Sequence, residues 1–179
     1  MNSTEVKIGG LGGQGVILSG IIIGRGATIY DQKHATMMQS FGPEARGSAC
    51  SAQLIISDKP ILYPYVTKPD ILMVLSKDAY KKFYPEMKPE GTLLIESDLV
   101  QPEGINPQTK LFSIPATRFA EELGRRLIVN IVMLGFFAAK IEIVHHDAVR
   151  KAVMDSVPHG TEDLNLRAFD KGYQYGKEN

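Results

Sequence analysis

The chain has 179 residues, of which 20 are Lys or Arg and 20 are Asp or Glu, so its formal net charge is zero. A chain of this length fits one compact domain, and we treat residues 1–179 as one domain. The charge balance gives no electrostatic reason to expect binding to nucleic acid or to a membrane surface. The single cysteine, Cys50, excludes an internal disulfide and any iron-sulfur cluster held by four thiolates of this chain.

The amino-terminal sequence lacks a basic segment followed by an apolar one, so we expect no signal peptide and a cytoplasmic location. The most apolar stretch, residues 127–139, is shorter than the roughly 20 residues that a membrane-spanning helix needs. This stretch therefore predicts a helix buried in a protein core. It contains Asn130, and because a buried amide needs hydrogen-bond partners, we expect Asn130 to tie the helix to a loop.

The predicted elements alternate between strand and helix. A short β-prone run at residues 5–8 enters a glycine-rich turn, and the apolar, proline-free stretch after it predicts a helix over residues 16–30. Further strands are predicted at residues 35–39, 49–57, 71–75, 92–96 and 110–114, and further helices at residues 77–84, 116–122, 127–139, 146–155 and 162–175. The pattern predicts an α/β fold, a single-domain, doubly wound and mostly parallel sheet with helices on both faces.

The first motif is Gly10-Leu11-Gly12-Gly13-Gln14-Gly15, which satisfies G-x-G-x-x-G between a predicted strand and a predicted helix. In that geometry, backbone amides and the helix dipole hold a phosphate. A dinucleotide-binding fold also needs an acidic residue at the end of its second strand. Asp31 has the right spacing but precedes the predicted strand, whereas Glu44 lies too far along the chain. A tight turn alone, phosphate binding and dinucleotide binding all stay open.

The second motif is Ser40-Phe41-Gly42-Pro43-Glu44-Ala45-Arg46-Gly47-Ser48. The two motifs, in this order, resemble those of the gamma subunits of 2-oxoacid:ferredoxin oxidoreductases, and the similarity extends over nearly the whole chain. Phe41 stands where the family usually has tyrosine, which removes a hydroxyl hydrogen bond. Ser48 stands where the family usually has a second glycine, which restricts the backbone.

The resemblance implies an accessory gamma subunit of a multisubunit enzyme that converts a 2-oxoacid and coenzyme A to acyl-coenzyme A and CO₂ with reduction of ferredoxin. The second motif is most similar to the 2-oxoglutarate and branched-chain members, and we favour 2-oxoglutarate. Thiamine diphosphate and iron-sulfur clusters are expected on partner subunits, through which ferredoxin is reached. The resemblance implies no tightly bound cofactor, metal or catalytic residue in this chain, and no activity of the chain alone. The alternative is an independent nucleotide- or flavin-binding protein.

We expect the two motifs to lie side by side at the carboxyl end of the sheet, where open α/β folds bind ligands. The candidate phosphate or coenzyme A loop is Gly10, Gly12, Gly13, Gln14 and Gly15. The candidate contacts to a partner or ligand are Phe41, Gly42, Glu44, Arg46 and Gly47. The planar Arg46 side chain suits a partner carboxylate, a coenzyme A phosphate or Glu44 of the same loop.

Cys50 and the segment Tyr63-Pro64-Tyr65 lie outside the two motifs. Cys50 lies in an apolar predicted strand, and we expect it to be buried as a small hydrophobic residue. Tyr63-Pro64-Tyr65 has two alternatives, an exposed aromatic surface for a partner or an edge segment packed on the sheet.

Overall fold

The computed structural model describes residues 3–41 and 48–179. The strands of the described residues are β1 (Ser3–Leu11), β2 (His34–Ser40), β3 (Ala49–Ser57), β4 (Ile71–Val74), β5 (Thr92–Glu96) and β6 (Lys110–Ile114). The helices are α1 (Val16–Arg25), α2 (Lys77–Phe83), α3 (Ala116–Glu122), α4 (Val129–Lys140), α5 (His146–Met154) and α6 (Glu162–Glu178).

Within the described residues, the strands form one sheet in the order β2-β3-β1-β4-β5-β6. β1, β4, β5 and β6 are parallel neighbours, whereas β3 pairs antiparallel with both β1 and β2. β2 therefore runs in the same direction as β1, and β3 is the one reversed strand of this sheet. The predicted mostly parallel sheet is confirmed.

Helices cover both faces of the sheet, as predicted. On the first face, α1 and α3 to α6 pack on inward side chains such as Ile8, Leu54 and Met73. On the second face, α2 packs through Tyr80 and Phe83 on the opposite side chains of β4 and β5. Because β4 is buried on both faces, all four of its residues are apolar, as the continuous hydrophobic pattern predicted.

Helices α4 and α6 cross closely on the first face. Nine of the twelve residues of α4 are buried, which agrees with a core helix that is apolar all round. A Cβ atom added at Gly135 of α4 would collide with the carbonyl oxygen of Phe169, and one added at Gly172 of α6 would collide with that of Val132. The two glycines therefore let the helix backbones touch.

The predicted helix over residues 16–30 is interrupted near its end. α1 stops at Arg25, and a π-helical turn, Gly26–Tyr30, continues it. Gly26 lies against the backbone of Val149 in α5, where an added Cβ would be 3.2 Å from its Cα. The change from α-helical to π-helical winding therefore coincides with a contact to α5. The local sequence pattern does not encode this contact.

Candidate functional site

The glycine loop connects β1 to α1 at the carboxyl edge of the sheet. Gly13 and Gly15 have φ angles of 96° and 72°, in the left-handed region where side chains are strained. The backbone N–H of Gln14 donates to the carbonyl of Leu11 at 3.1 Å and closes a tight turn. Glycines at these two positions are therefore required by the backbone itself, whether or not a ligand binds.

The side chain of Gln14 points into the protein and crosses from one strand end to the next. Its Oε1 accepts a hydrogen bond from the backbone N–H of Leu11 at 2.6 Å, and its Nε2 donates to the carbonyl of Leu75 at 2.9 Å. Gly10 lies directly beneath it, since a Cβ there would be 2.8 Å from Gln14 Oε1 and 2.7 Å from Val16 Cγ2. Gln14 thus holds the loop by hydrogen bonds inside the protein, and Gly10 leaves room for its side chain.

Asn130 holds the other end of the loop, as the sequence predicted. Its Nδ2 donates to the carbonyl of Gly15 at 3.4 Å, and the same carbonyl accepts from the backbone N–H and the Oγ of Ser19 at 2.9 and 3.0 Å. A Cβ added at Gly15 would collide with the Asn130 amide. The buried helix α4 is in this way tied to the start of α1.

A cavity of about 380 Å³ opens beside the loop. Its lining residues come from the glycine loop, the first turn of α1 and the two sides of the second motif: Leu11, Gly12, Gly13, Gly15, Val16, Ile17, Leu18, Phe41, Ser48 and Cys50. The structure therefore brings Phe41 next to the glycine loop, as expected for the two motifs. The predicted contacts Gly42, Glu44, Arg46 and Gly47 lie outside the described residues.

The described wall of this cavity carries no charged side chain. Among the described residues, the electrostatic attraction for an anion therefore comes from the amino terminus of α1, whose first N–H groups lack helical partners. Ile17, Leu18 and Phe41 add an apolar wall, and the Phe41 ring is 66% exposed. The cavity combines a polar end made of backbone with an apolar side.

Cys50 lies at the base of the cavity and is 7% exposed. It pairs with Gly10 across β1 and β3, which places its thiol below the glycine loop. Burial raises the pKa of the Cys50 thiol, so the neutral thiol is favoured. The expectation of a buried cysteine is confirmed. Its position at the cavity was missed, because the sequence pattern gives no sign that β3 runs antiparallel to β1.

The carboxylate that a dinucleotide site requires is not at the glycine loop in the described residues. Asp31 precedes β2, and because β2 and β1 run in the same direction, Asp31 lies at the opposite end of the sheet. Its carboxylate accepts from the backbone N–H of His145 at 3.0 Å and pairs with Lys33 at 3.8 Å. Asp31 is therefore a structural residue. Glu44, the other acid considered, lies outside the described residues.

The Tyr63-Pro64-Tyr65 segment forms an exposed surface. The rings of Tyr63 and Tyr65 lie 5.2 Å apart and are 62% and 50% exposed, and the adjacent Leu62 is 91% exposed. The Glu5 carboxylate anchors the end of the segment by accepting the backbone N–H groups of Thr67 and Lys68. Of the two alternatives, the structure supports the exposed aromatic surface.

The described residues contain no group of three or more His, Cys, Asp or Glu side chains placed to hold a metal ion. Over the same residues, no helix is both long and apolar enough to span a membrane. The chain has one cysteine, whereas the common iron-sulfur clusters need four thiolates. The residues of this chain therefore do not fit such a cluster.

A family model described as pyruvate ferredoxin/flavodoxin oxidoreductase matches residues 5–175. The 2-oxoglutarate synthase subunit KorC of Methanocaldococcus jannaschii is 47% identical over 176 residues, which span 97% of this chain and 94% of that protein. The gamma subunit of a keto/oxoacid ferredoxin oxidoreductase from Geobacter sulfurreducens has a TM-score of 0.88 at 35% identity, covering 98% of this chain and 97% of that chain.

A third similar protein shares the fold within a longer polypeptide. The 2-oxoglutarate:ferredoxin oxidoreductase from Magnetococcus marinus has a TM-score of 0.89 at 21% identity and covers 100% of this chain but 32% of that chain. The resemblance inferred from the two motifs is confirmed by the family match and by the relatives. The chain belongs to the pyruvate ferredoxin/flavodoxin oxidoreductase family.

Proposed function

We propose that this chain is the accessory gamma subunit of a 2-oxoacid:ferredoxin oxidoreductase whose substrate is 2-oxoglutarate. The observation that carries the proposal is 47% identity, over nearly the full length of both proteins, to a subunit of 2-oxoglutarate synthase. The assembled enzyme converts 2-oxoglutarate and coenzyme A to succinyl-coenzyme A and CO₂ and reduces ferredoxin. The chain contributes binding surface, and other subunits contribute the redox groups.

The distribution of cofactors follows from the chemistry of the side chains. Iron-sulfur clusters belong to partner subunits in this proposal, because one cysteine does not supply a set of cluster ligands. Thiamine diphosphate is likewise assigned to a partner. The thiamine-binding and iron-sulfur subunits are therefore the proposed partners, and the electrons reach ferredoxin through them. The proposed location of the assembly is the cytoplasm.

Coenzyme A is the ligand that we assign to the cavity beside the glycine loop. The backbone of Gly12, Gly13 and Gly15 at the amino terminus of α1 suits a phosphate group. The apolar wall of Ile17 and Leu18 suits the less polar arm of the molecule. Coenzyme A supplies the thiol that accepts the acyl group, and the described residues of the cavity hold and orient it.

The second motif is the proposed contact between this cavity and a partner subunit. Phe41 is the described end of the motif, and its exposed ring borders the cavity. Gly42, Glu44, Arg46 and Gly47 continue from it in sequence. Arg46 is proposed to pair with a partner carboxylate or with a coenzyme A phosphate, since its guanidinium donates two parallel hydrogen bonds to either group.

The test is to co-express the tagged chain with the candidate thiamine-binding and iron-sulfur subunits and to purify the assembly without oxygen. We expect coenzyme-A-dependent reduction of ferredoxin with 2-oxoglutarate, and slower reduction with pyruvate and 2-oxoisovalerate. The isolated chain should show neither turnover nor a bound chromophore. A chain that purifies alone with a stoichiometric nucleotide or flavin would instead support an independent nucleotide-binding protein.

A further inference from the structure

The sheet contains a crevice at which doubly wound folds usually bind ligands. The helix that follows β1 packs on the first face of the sheet, whereas the helix that follows β4 packs on the second. The chain therefore leaves these adjacent parallel strands in opposite directions, which is the topology that forms a ligand-binding crevice at the carboxyl ends of open α/β sheets. Leu11 borders it on the β1 side and Leu75 on the β4 side.

Gln14 occupies this crevice with its side-chain amide. The amide is held at both ends, by the N–H of Leu11 at 2.6 Å and by the carbonyl of Leu75 at 2.9 Å. Gly10 lies directly beneath this amide. A Cβ added at Gly10 would be 2.8 Å from Gln14 Oε1. A side chain of the protein thus bridges the two strand ends at the position where open α/β sheets usually bind ligands.

The cavity of the proposed coenzyme A site opens on the other side of β1, toward β3. Gly12, Gly13 and Gly15 line it, whereas Gly10 and Gln14 do not. The two groups of loop residues therefore have different tasks. Gly12, Gly13 and Gly15 face the cavity, and Gln14 fixes the turn from which they project.

We infer that Gln14 is a positioning residue, which bridges the carboxyl ends of β1 and β4 and holds the glycine loop toward the cavity beside β3. The inference rests on the proposed function, in which that cavity takes coenzyme A. It accounts for a G-x-G-x-x-G motif whose loop faces a different cavity from the crevice that dinucleotide-binding folds use. Gln14 acts on the ligand only through the backbone of the loop.

The test compares Gln14→Met with Tyr84→Phe in the assembled oxidoreductase. Methionine keeps the length of the side chain but loses both amide hydrogen bonds. Tyr84→Phe is the matched control, since its hydroxyl accepts from the N–H of Asn106 at 2.8 Å and contacts Thr109 Oγ1 at 3.3 Å, away from the cavity. Gln14→Met should raise the KM for coenzyme A about tenfold or more, and should leave the KM for 2-oxoglutarate within about twofold.

Hydrogen exchange of the isolated chain gives a second measurement that does not depend on assembly. Gln14→Met should speed exchange in residues 11–18 about tenfold, whereas Tyr84→Phe should leave these residues unchanged. Equal exchange in the two variants, or an unchanged KM for coenzyme A in an active assembly, would overturn the positioning role. If the wild-type assembly lacks coenzyme-A-dependent activity, the proposed function fails, and the exchange experiment still decides whether Gln14 holds the loop.

Discussion

Gly13 and Gly15 have similar left-handed backbones but different surroundings. A Cβ at Gly13 meets nothing within 4 Å, whereas one at Gly15 collides with Asn130. We expect Gly13→Ala to lower the free energy of unfolding by about 1 kcal/mol through backbone strain alone. Gly15→Ala should lower it by about 3 kcal/mol or more, because overpacking adds to the strain. Urea unfolding of the two variants measures the difference, and equal losses would mean that Asn130 moves aside.

Cys50 should react slowly with thiol reagents. Burial raises its pKa, so the thiolate fraction at pH 7 is smaller than in an ordinary cysteine, and it grows only as the pH passes above the usual thiol range of about 8.5. We expect iodoacetamide to modify the folded chain at least about tenfold more slowly than the urea-unfolded chain at pH 7. Mass spectrometry follows the reaction. Similar rates in both states would show that the cavity base is open to solvent.

The sequence predicted the position of the glycine loop but not the separate roles of its residues. The motif identified the loop, because glycine spacing between a strand and a helix is a local signal. It did not separate Gln14 from the glycines that line the cavity, since the direction of the Gln14 side chain depends on Leu75, distant in sequence. Cys50 was missed as a cavity residue for the same reason, because its place depends on pairing with β1.

At the scale of elements, the crossing of α4 and α6 depends on two positions without a side chain. We expect Gly172→Ala to lower the free energy of unfolding by about 3 kcal/mol or more, since the new methyl group would force the helix backbones apart. Gln174→Ala, at an exposed position of the same helix, is the matched control and should be neutral or slightly stabilising. Chemical denaturation checks both values, and a neutral Gly172→Ala would show that the two helices can separate without cost.

Elements with a strong local pattern were predicted to the residue, and the mostly parallel sheet with helices on both faces was also predicted, whereas two details of the packing were not. The predicted strands at residues 92–96 and 110–114 and the helix at 116–122 agree with β5, β6 and α3. Their apolar runs are bounded by proline, glycine or charged residues, which are local signals. The reversed direction of β3 and the π-helical turn after α1 depend on packing against β1 and α5, and no local pattern encodes them.

At the scale of the whole molecule, the exposed surface of Leu62, Tyr63 and Tyr65 is expected to be a contact with the proposed partner subunits. An anchored segment that presents a nearly fully exposed leucine and two tyrosines is typical of a protein interface. We predict that Leu62→Ser weakens association with these subunits about tenfold, which corresponds to about 1.4 kcal/mol.

Leu127→Ser is the control for this prediction, because Leu127 is also exposed, at 71%, but lies before α4. Pull-down of the partner subunits over a range of concentrations measures the effect, and thermal unfolding of each variant alone should be unchanged. If Leu127→Ser weakens association and Leu62→Ser does not, the interface lies on a different surface.

The close packing at Gly135 and Gly172 also limits how this sequence can be recombined with its relatives. Because each glycine faces backbone of the other helix, a chimera that takes α4 from one parent and α6 from another should lose stability unless both glycines are kept. A crossover point in α5 separates the two helices and is therefore compatible with fewer pairs of parents than a crossover point before α4. We therefore expect residues 129–178 to be exchanged between relatives best as one segment, although three separate helices make it up.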